Sequence, residues 1–153
     1  MTNPDAVSID SMMKAIYETI SGPAGQPRQW ERDRALHHPK ALLIPARQAK
    51  GGPAGGVFTF DEFVASRAPY FAENDFYEIE IARKEFRFGA IAHVLSFYEA
   101  RKAPGGELLR RGVNSIQLMH DGERWWVMSI LWDNEREGVR LPALSSRAQR
   151  GIP

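Results

Sequence analysis

The sequence predicts an α+β domain in which helices cover one face of a curved, mostly antiparallel sheet. Three observations predict it. Apolar residues from Ile9 to Ile20 recur at helical spacing, the apolar period changes to two after Phe76, and tight-turn signals divide the second half into long strands. Helices first and a strand meander second is the order of an α+β domain rather than of alternating βαβ units.

Ile9, Met12, Met13, Ile16, Tyr17 and Ile20 form the apolar stripe of the first helix, which starts near Asn3-Pro4 and stops at Ser21-Gly22-Pro23. A short second helix is expected over Arg28 to Leu36 with Trp30 facing inward, and Pro39 ends it. Ala41 to Pro45 is short, apolar and bounded by prolines, which suits a strand. Lys50 to Gly56 reads as an exposed glycine-rich loop. Val57-Phe58 stand where a phosphate loop needs Lys-Ser/Thr, so nucleotide binding is not expected. The third helix begins at a capping box, Thr59 with Glu62, and Phe58 is placed to staple against Phe63. Pro69 is expected to bend or end it.

From Phe76 the strand pattern switches phase between Ile79-Ile81 and Phe86-Phe88, which a bulge near Ala82 to Lys84 explains. Turns at Gly89, at Ala103 to Gly106 and at Asp121-Gly122 separate strands at Ile91–Lys102, Leu108–His120 and Glu123–Asn134. The domain is expected to span 1–135, with 136–153 a loose tail that holds four arginines.

The chain has 153 residues, enough for one substantial core, and a formal net charge of +1, which selects neither nucleic acid nor membrane partners. It has no cysteine, so disulfides and thiolate metal sites are excluded. No basic-then-apolar leader and no apolar run near the ~20 residues of a membrane span are visible, so a cytoplasmic protein is expected.

Register follows from the turns. A two-residue Asp121-Gly122 loop sets Leu118 opposite Trp125, giving one face with Asn114, Ile116, Leu118, Trp125, Val127, Ser129, Leu131 and Asp133. The other face carries Gln117, Trp126, Met128, Ile130 and Trp132. A four-residue loop at Ala103 to Gly106 sets His93 opposite Ile116, which turns His93 inward. The face rich in Leu, Ile and Val should pack under the helices, and the face with Trp126 and Trp132 is expected to form a homodimer interface, or to lie under the tail.

Arg34-Ala35-Leu36-His37-His38-Pro39, Ile91-Ala92-His93-Val94, Gly112-Val113-Asn114-Ser115 and Asp121-Gly122-Glu123-Arg124-Trp125-Trp126-Val127 resemble the nuclear transport factor 2-like superfamily, with the SnoaL-like branch nearest. The resemblance runs from about Asp10 to Glu135. It implies a cone-shaped α+β barrel, a cavity between helices and concave sheet, and dimers through the convex face. The superfamily includes isomerases, cyclases, dehydratases and pocket-bearing members without known activity. This chain reproduces neither the Asp-Arg-Asp set of the epoxide hydrolases nor the Tyr-and-Asp pairing of the steroid isomerases.

The expected function is a small-molecule-binding domain with an apolar cavity for a hydrophobic carbonyl compound, and turnover by cofactor-independent isomerisation, cyclisation or dehydration is one form of it. The alternative is a non-catalytic dimeric module that binds a protein partner. His93 reads either as a general acid or base or as a core histidine, and His38 either as a pocket-mouth residue or as a structural cap. Asn114 and Ser129 are buried polar residues that need a ligand, a water or each other. Tyr17 is expected to reach the cavity with its hydroxyl, where Asn114 and Tyr17 would steady an oxyanion. Trp30 and Trp125 are the expected aromatic walls. Asp133, Arg110 and Glu99 are expected to cluster as a salt bridge at one end of the inner face. No cofactor, metal or nucleic acid is expected.

Overall fold

The computed structural model describes residues 2–46 and 55–143 together with the backbone of 148–150. Three α-helices, α1 (Ile9–Ile20), α2 (Trp30–Arg34) and α3 (Phe60–Glu73), pack on one face of a curved sheet. Its strands are β1 (His37–Pro45), β2 (Tyr77–Phe88), β3 (Ile91–Arg101), β4 (Leu108–His120), β5 (Trp125–Asn134) and β6 (Ala148–Arg150), in the order β1-β5-β4-β3-β2-β6. The central pairs are antiparallel, whereas β1 runs parallel to β5 and β6 parallel to β2. Residues 50–54 of the expected glycine-rich loop lie outside the described residues, as do 144–147 and 151–153 of the tail.

Local chemistry explains the helix ends. Ser8 caps α1 by accepting from the Ser11 amide at 3.0 Å, and a 3-10 turn at Pro4–Ala6 precedes it. Thr59 and Glu62 form the capping box of α3 as the sequence implies, with Phe58 packed on the cluster that contains Phe63. Pro69 does not end that helix, which continues through it to Glu73. α2 is shorter than expected, and the strand that follows begins at His37 rather than Ala41 because His37 already pairs with Val127.

Two bulges decide which side chains face the helices. Lys102 does face Glu107 across the β3–β4 turn, its amide 3.0 Å from the Glu107 carbonyl. Leu109 is then an extra residue, so Ala100 pairs with Arg110 and His93 with Gln117. The expectation that His93 sits opposite Ile116 is thereby corrected: His93 lies on the outer face, and Val94, Ser96, Tyr98 and Ala100 face inward. The β4–β5 loop has four residues, not two. Asp121 Oδ1 accepts from the Glu123 and Arg124 amides, Gly122 takes φ 101°, and His120 pairs with Trp125. A shift of two keeps Trp125 and Val127 inside, but Met128 is a second extra residue that reverses the remainder. Ile130 and Trp132 therefore point inward, and Ser129, Leu131 and Asp133 outward. Ile130 is 6% exposed, in the core instead of at an outer interface. The expected Asp133–Arg110–Glu99 cluster is not formed: Glu99 pairs with Arg101 and Arg111, and Asp133 with Arg136.

The largest core cluster lies between α1 and the inner face of the sheet. Met12, Met13 and Ile16 of α1 pack with Val94, Ile116, Leu118, Trp125 and Val127. Each such large apolar side chain contributes about 1.5–3 kcal/mol on burial. A second cluster joins Leu43, Phe60 and Phe63 to Trp30 and Trp132, and a third joins Phe71, Phe76 and Ala100.

Candidate functional site

The open space lies between α1 and β2, a cleft of about 380 Å³ lined by Met13, Tyr17 and Ser21 of α1 and by Tyr77, Glu78, Glu80 and Arg83 of β2, among others. Its β2 wall inverts the expected pattern. Ile79 and Phe88 are 54% and 73% exposed, while Arg83 and Glu85 are 6% and 7% exposed. A bulge between Glu80 and Ala82, close to where the phase switch placed it, carries the inward set from Glu78 and Glu80 to Arg83 and Glu85.

At the cleft wall and behind it a hydrogen-bonded chain crosses four elements. Asn114 Nδ2 of β4 donates to the Tyr17 hydroxyl at 3.0 Å, the hydroxyls of Tyr17 and Ser96 lie 2.6 Å apart, and Ser96 donates to the Glu80 carboxylate. Because Ser96 spends its single proton on Glu80, the Tyr17 proton goes to Ser96. Asn114 also hydrogen-bonds the Glu78 carboxyl. Burial, with the charge of Glu78, raises the Tyr17 hydroxyl well above its ordinary value. Tyr17 therefore holds the cleft wall as a neutral phenol whose donor is already engaged.

Three carboxylates are fixed by Arg83. Its guanidinium reaches Glu80 at 2.7 Å, Asp10 at 2.5 Å and Glu85 at 3.2 Å. Burial pulls its pKa down, but the hydrogen-bonded carboxylates outweigh burial and hold it above the ordinary value. Glu78 is different. Burial pushes its carboxyl up to about 7, against the opposing charge of Arg110 and the Asn114 amide. No arginine or lysine forms an ion pair with it among the described residues. A cleft carboxyl that titrates near neutrality can give and take a proton at working pH.

Of the residues singled out from sequence, the structure brings Tyr17 and Asn114 together at this cleft. Trp30 packs edge-on against Phe63 at 6.3 Å and beside Phe71 at 6.0 Å, and Trp125 is 2% exposed in the core under α1. Both fill the interior instead of lining open space. Ser129 sits opposite Gln117 on the outer face. His93 Nε2 lies 2.9 Å from the outward Ser115 hydroxyl, and His38 lies 5.9 Å from Trp126, with Nδ1 accepting from the Lys40 amide. Neither histidine reaches the cleft. Sequence reasoning missed Glu78, Glu80, Arg83 and Glu85, whose signal was the charged two-residue spacing on either side of the bulge.

No helix of the described residues is long and apolar enough to cross a membrane. No protein-family model and no curated protein matches the sequence. Solved structures do match. A Mycobacterium tuberculosis protein of unknown function is 14% identical with a TM-score of 0.64, over 84% of this chain and 70% of that one. A nuclear transport factor 2-like protein of unknown function from Silicibacter pomeroyi is 14% identical with a TM-score of 0.56, over 83% and 92%. A candidate ketosteroid isomerase from Parabacteroides distasonis is 8% identical with a TM-score of 0.57, over 89% and 96%. With helices laid on a curved, mostly antiparallel sheet and these structural neighbours, the chain has the nuclear transport factor 2-like fold.

Proposed function

We propose that the protein binds a small hydrophobic carbonyl compound in the cleft between α1 and β2, with Glu78 as the group that carries a proton. The observation that supports this most directly is Glu78 itself, a carboxyl that lines open space and has Arg110 near enough to act on its charge but makes no ion pair among the described residues. Its neighbours Tyr17, Asn114 and Ser96 are locked by one another. In this reading the ionised Glu78 takes a proton from the carbon beside the carbonyl and the protonated form returns it to the resulting enolate. That is the shared step of cofactor-independent isomerisation, cyclisation and dehydration. Met13 and the ring of Tyr77 supply apolar wall for the body of the compound.

Acetophenone serves as the probe. Incubated with the protein in deuterium oxide, it should exchange its methyl protons faster than in buffer alone, as followed by proton NMR. Glu78→Gln, which keeps the shape and the Asn114 contact, should reduce that acceleration about 10²–10⁴-fold. Exchange that is equally fast in Glu78→Gln would remove Glu78 as the proton carrier.

The outer face favours a second, compatible reading, a homodimer through the sheet. Leu42 and Leu131 are each 39% exposed and Ile91 is 56% exposed, beside half-buried Trp126 and Met128 and exposed Gln117. The same surface serves the alternative of a non-catalytic module that docks a protein partner.

A further inference from the structure

When Glu78 takes a proton from the carbon beside a carbonyl, the electron pair left behind moves onto the carbonyl oxygen, and that negative oxygen needs a hydrogen-bond donor. Several donors of the cleft are already engaged. The Tyr17 hydroxyl is spent on Ser96, and the Ser21 hydroxyl donates to the Tyr17 carbonyl at 2.7 Å. Two cations line the cleft among the described residues, Arg83 and Lys14. Arg83 spends its guanidinium on Glu80, Asp10 and Glu85. Lys14 is left.

Helical spacing places Lys14 on the cleft. Asp10, Met13, Lys14, Tyr17, Glu18 and Ser21 recur at the three-and-four interval, so one stripe of α1 forms this wall. Both carboxylates one turn away from Lys14 are claimed by arginines. Asp10 lies 2.5 Å from Arg83, and Glu18 lies 3.1 Å from Arg32 but 3.8 Å from Lys14. The Lys14 side chain is 75% exposed, so neither packing nor a short ion pair among the described residues holds its ammonium. Its contact with Glu18 turns it toward the C-terminal half of α1. The helix rises about 10 Å from Lys14 to Ser21, and the Ser21 hydroxyl accepts from the Glu78 amide at 3.0 Å. The four-carbon lysine stem and the Glu78 side chain approach from the two ends of that span, with room between them for the C–C–O unit of an enolate.

We propose that Lys14 is a second catalytic residue, whose ammonium donates a hydrogen bond to the enolate oxygen while Glu78 holds the abstracted proton. This deepens the reading of the α1–β2 cleft as a carbonyl site and rests on it. The C–H bond beside the carbonyl breaks, its proton goes to Glu78, its electron pair forms the C=C bond, and the C=O pair passes to the oxygen at Lys14. Return of the proton from Glu78 to carbon reverses the flow, and Lys14 stays protonated throughout. The ligand therefore lies with its carbonyl oxygen toward Lys14 and its acidic carbon toward Glu78.

Acetophenone exchange in deuterium oxide gives the first readout. Lys14→Gln should slow the protein-catalysed exchange about 10- to 100-fold, the loss of one charge-assisted hydrogen bond to a developing oxyanion. Lys14→Arg, which keeps the charge, should stay closer to the original rate. Lys14 is exposed, so its replacement leaves the core intact. A second readout does not depend on proton transfer. In Glu78→Gln, whose amide stands in for the protonated carboxyl, 4-nitrophenolate at mildly alkaline pH mimics the enolate. Adding Lys14→Gln should weaken its binding about tenfold in calorimetric titration and leave neutral 4-nitroanisole unchanged. Exchange equally fast in Lys14→Gln, or phenolate binding that is absent or independent of Lys14, would overturn the proposal. If the unaltered protein fails to accelerate exchange yet phenolate binding depends on Lys14, the Lys14 contact stands and only Glu78 is removed as the proton carrier.

Discussion

Asp33 near the end of α2 and His37 at the start of β1 are each 4% exposed, with His37 Nδ1 2.8 Å from the Asp33 carbonyl and 3.7 Å from its carboxylate. The carbonyl only accepts, so Nδ1 carries the proton, and Nε2 is a buried acceptor without a partner among the described residues. Burial pushes Asp33 up to about 7 and His37 down to about 4. A raised carboxyl contributes stability below its unfolded value of 3.8, and that stability is lost as pH rises through about 7. A lowered histidine acts oppositely, adding stability as pH rises from about 4 to its unfolded 6.5. These two slopes nearly cancel each other, leaving the fall that Glu78 contributes between about 4.5 and 7. Single variants should expose them: measured relative to the intact protein, unfolding free energy should fall with pH between 4 and 7 in His37→Gln and rise between 4 and 6.5 in Asp33→Asn. Each slope should approach about 1.4 kcal/mol per pH unit. Urea titrations across that range measure this, and parallel profiles for wild type and both variants would show that neither group is shifted.

Several turns, caps and phase breaks were legible in the sequence because each has a local chemical cause, whereas the length of the Asp121-Gly122 loop and the Ser8 cap of α1 were not. The Thr59–Glu62 box, the Lys102–Glu107 closure and the β2 bulge all stand as the residues imply. The bulges at Leu109 and Met128 were not legible, since an apolar residue inserted in an apolar strand leaves no local mark yet reverses every side chain beyond it. One insertion moved His93 outward, and the other moved Ile130 and Trp132 inward. Trp126 and Trp132, assigned to one face by simple alternation, therefore have opposite fates. Trp126 is held at the surface by Asp121 at 2.8 Å and stacks under Arg124 at 3.5 Å, whereas Trp132 packs on Phe63. If the outer face forms the homodimer, Trp126→Glu should sediment as a folded monomer. Trp132→Glu should instead lower stability by about 3 kcal/mol or more, as expected for a charge set into a core. A Trp126→Glu protein that remains fully dimeric would place the interface elsewhere.

Across the whole molecule, the sequence read as apolar inside and polar outside, and β2 reverses that. Its isoleucines and phenylalanines look outward while Glu78, Glu80, Arg83 and Glu85 look in, so the candidate site sits where the apolar pattern pointed away from it. The helices and the sheet enclose a core of Met12, Met13 and Trp125 and leave the α1–β2 side open beside the buried charges. Tyr17 and Asn114 were foreseeable because a lone polar group on an apolar face needs a partner. The β2 carboxylates required the bulge to be placed to within one residue. The central claim is that Glu78 stays protonated in the cleft up to neutral pH, and carbon-13 NMR titration of its side-chain carboxyl, assigned by loss of the signal in Glu78→Gln, tests it most directly. The account predicts a midpoint at about 7. A midpoint at the ordinary value of 4.5 would show a solvated carboxylate and contradict it.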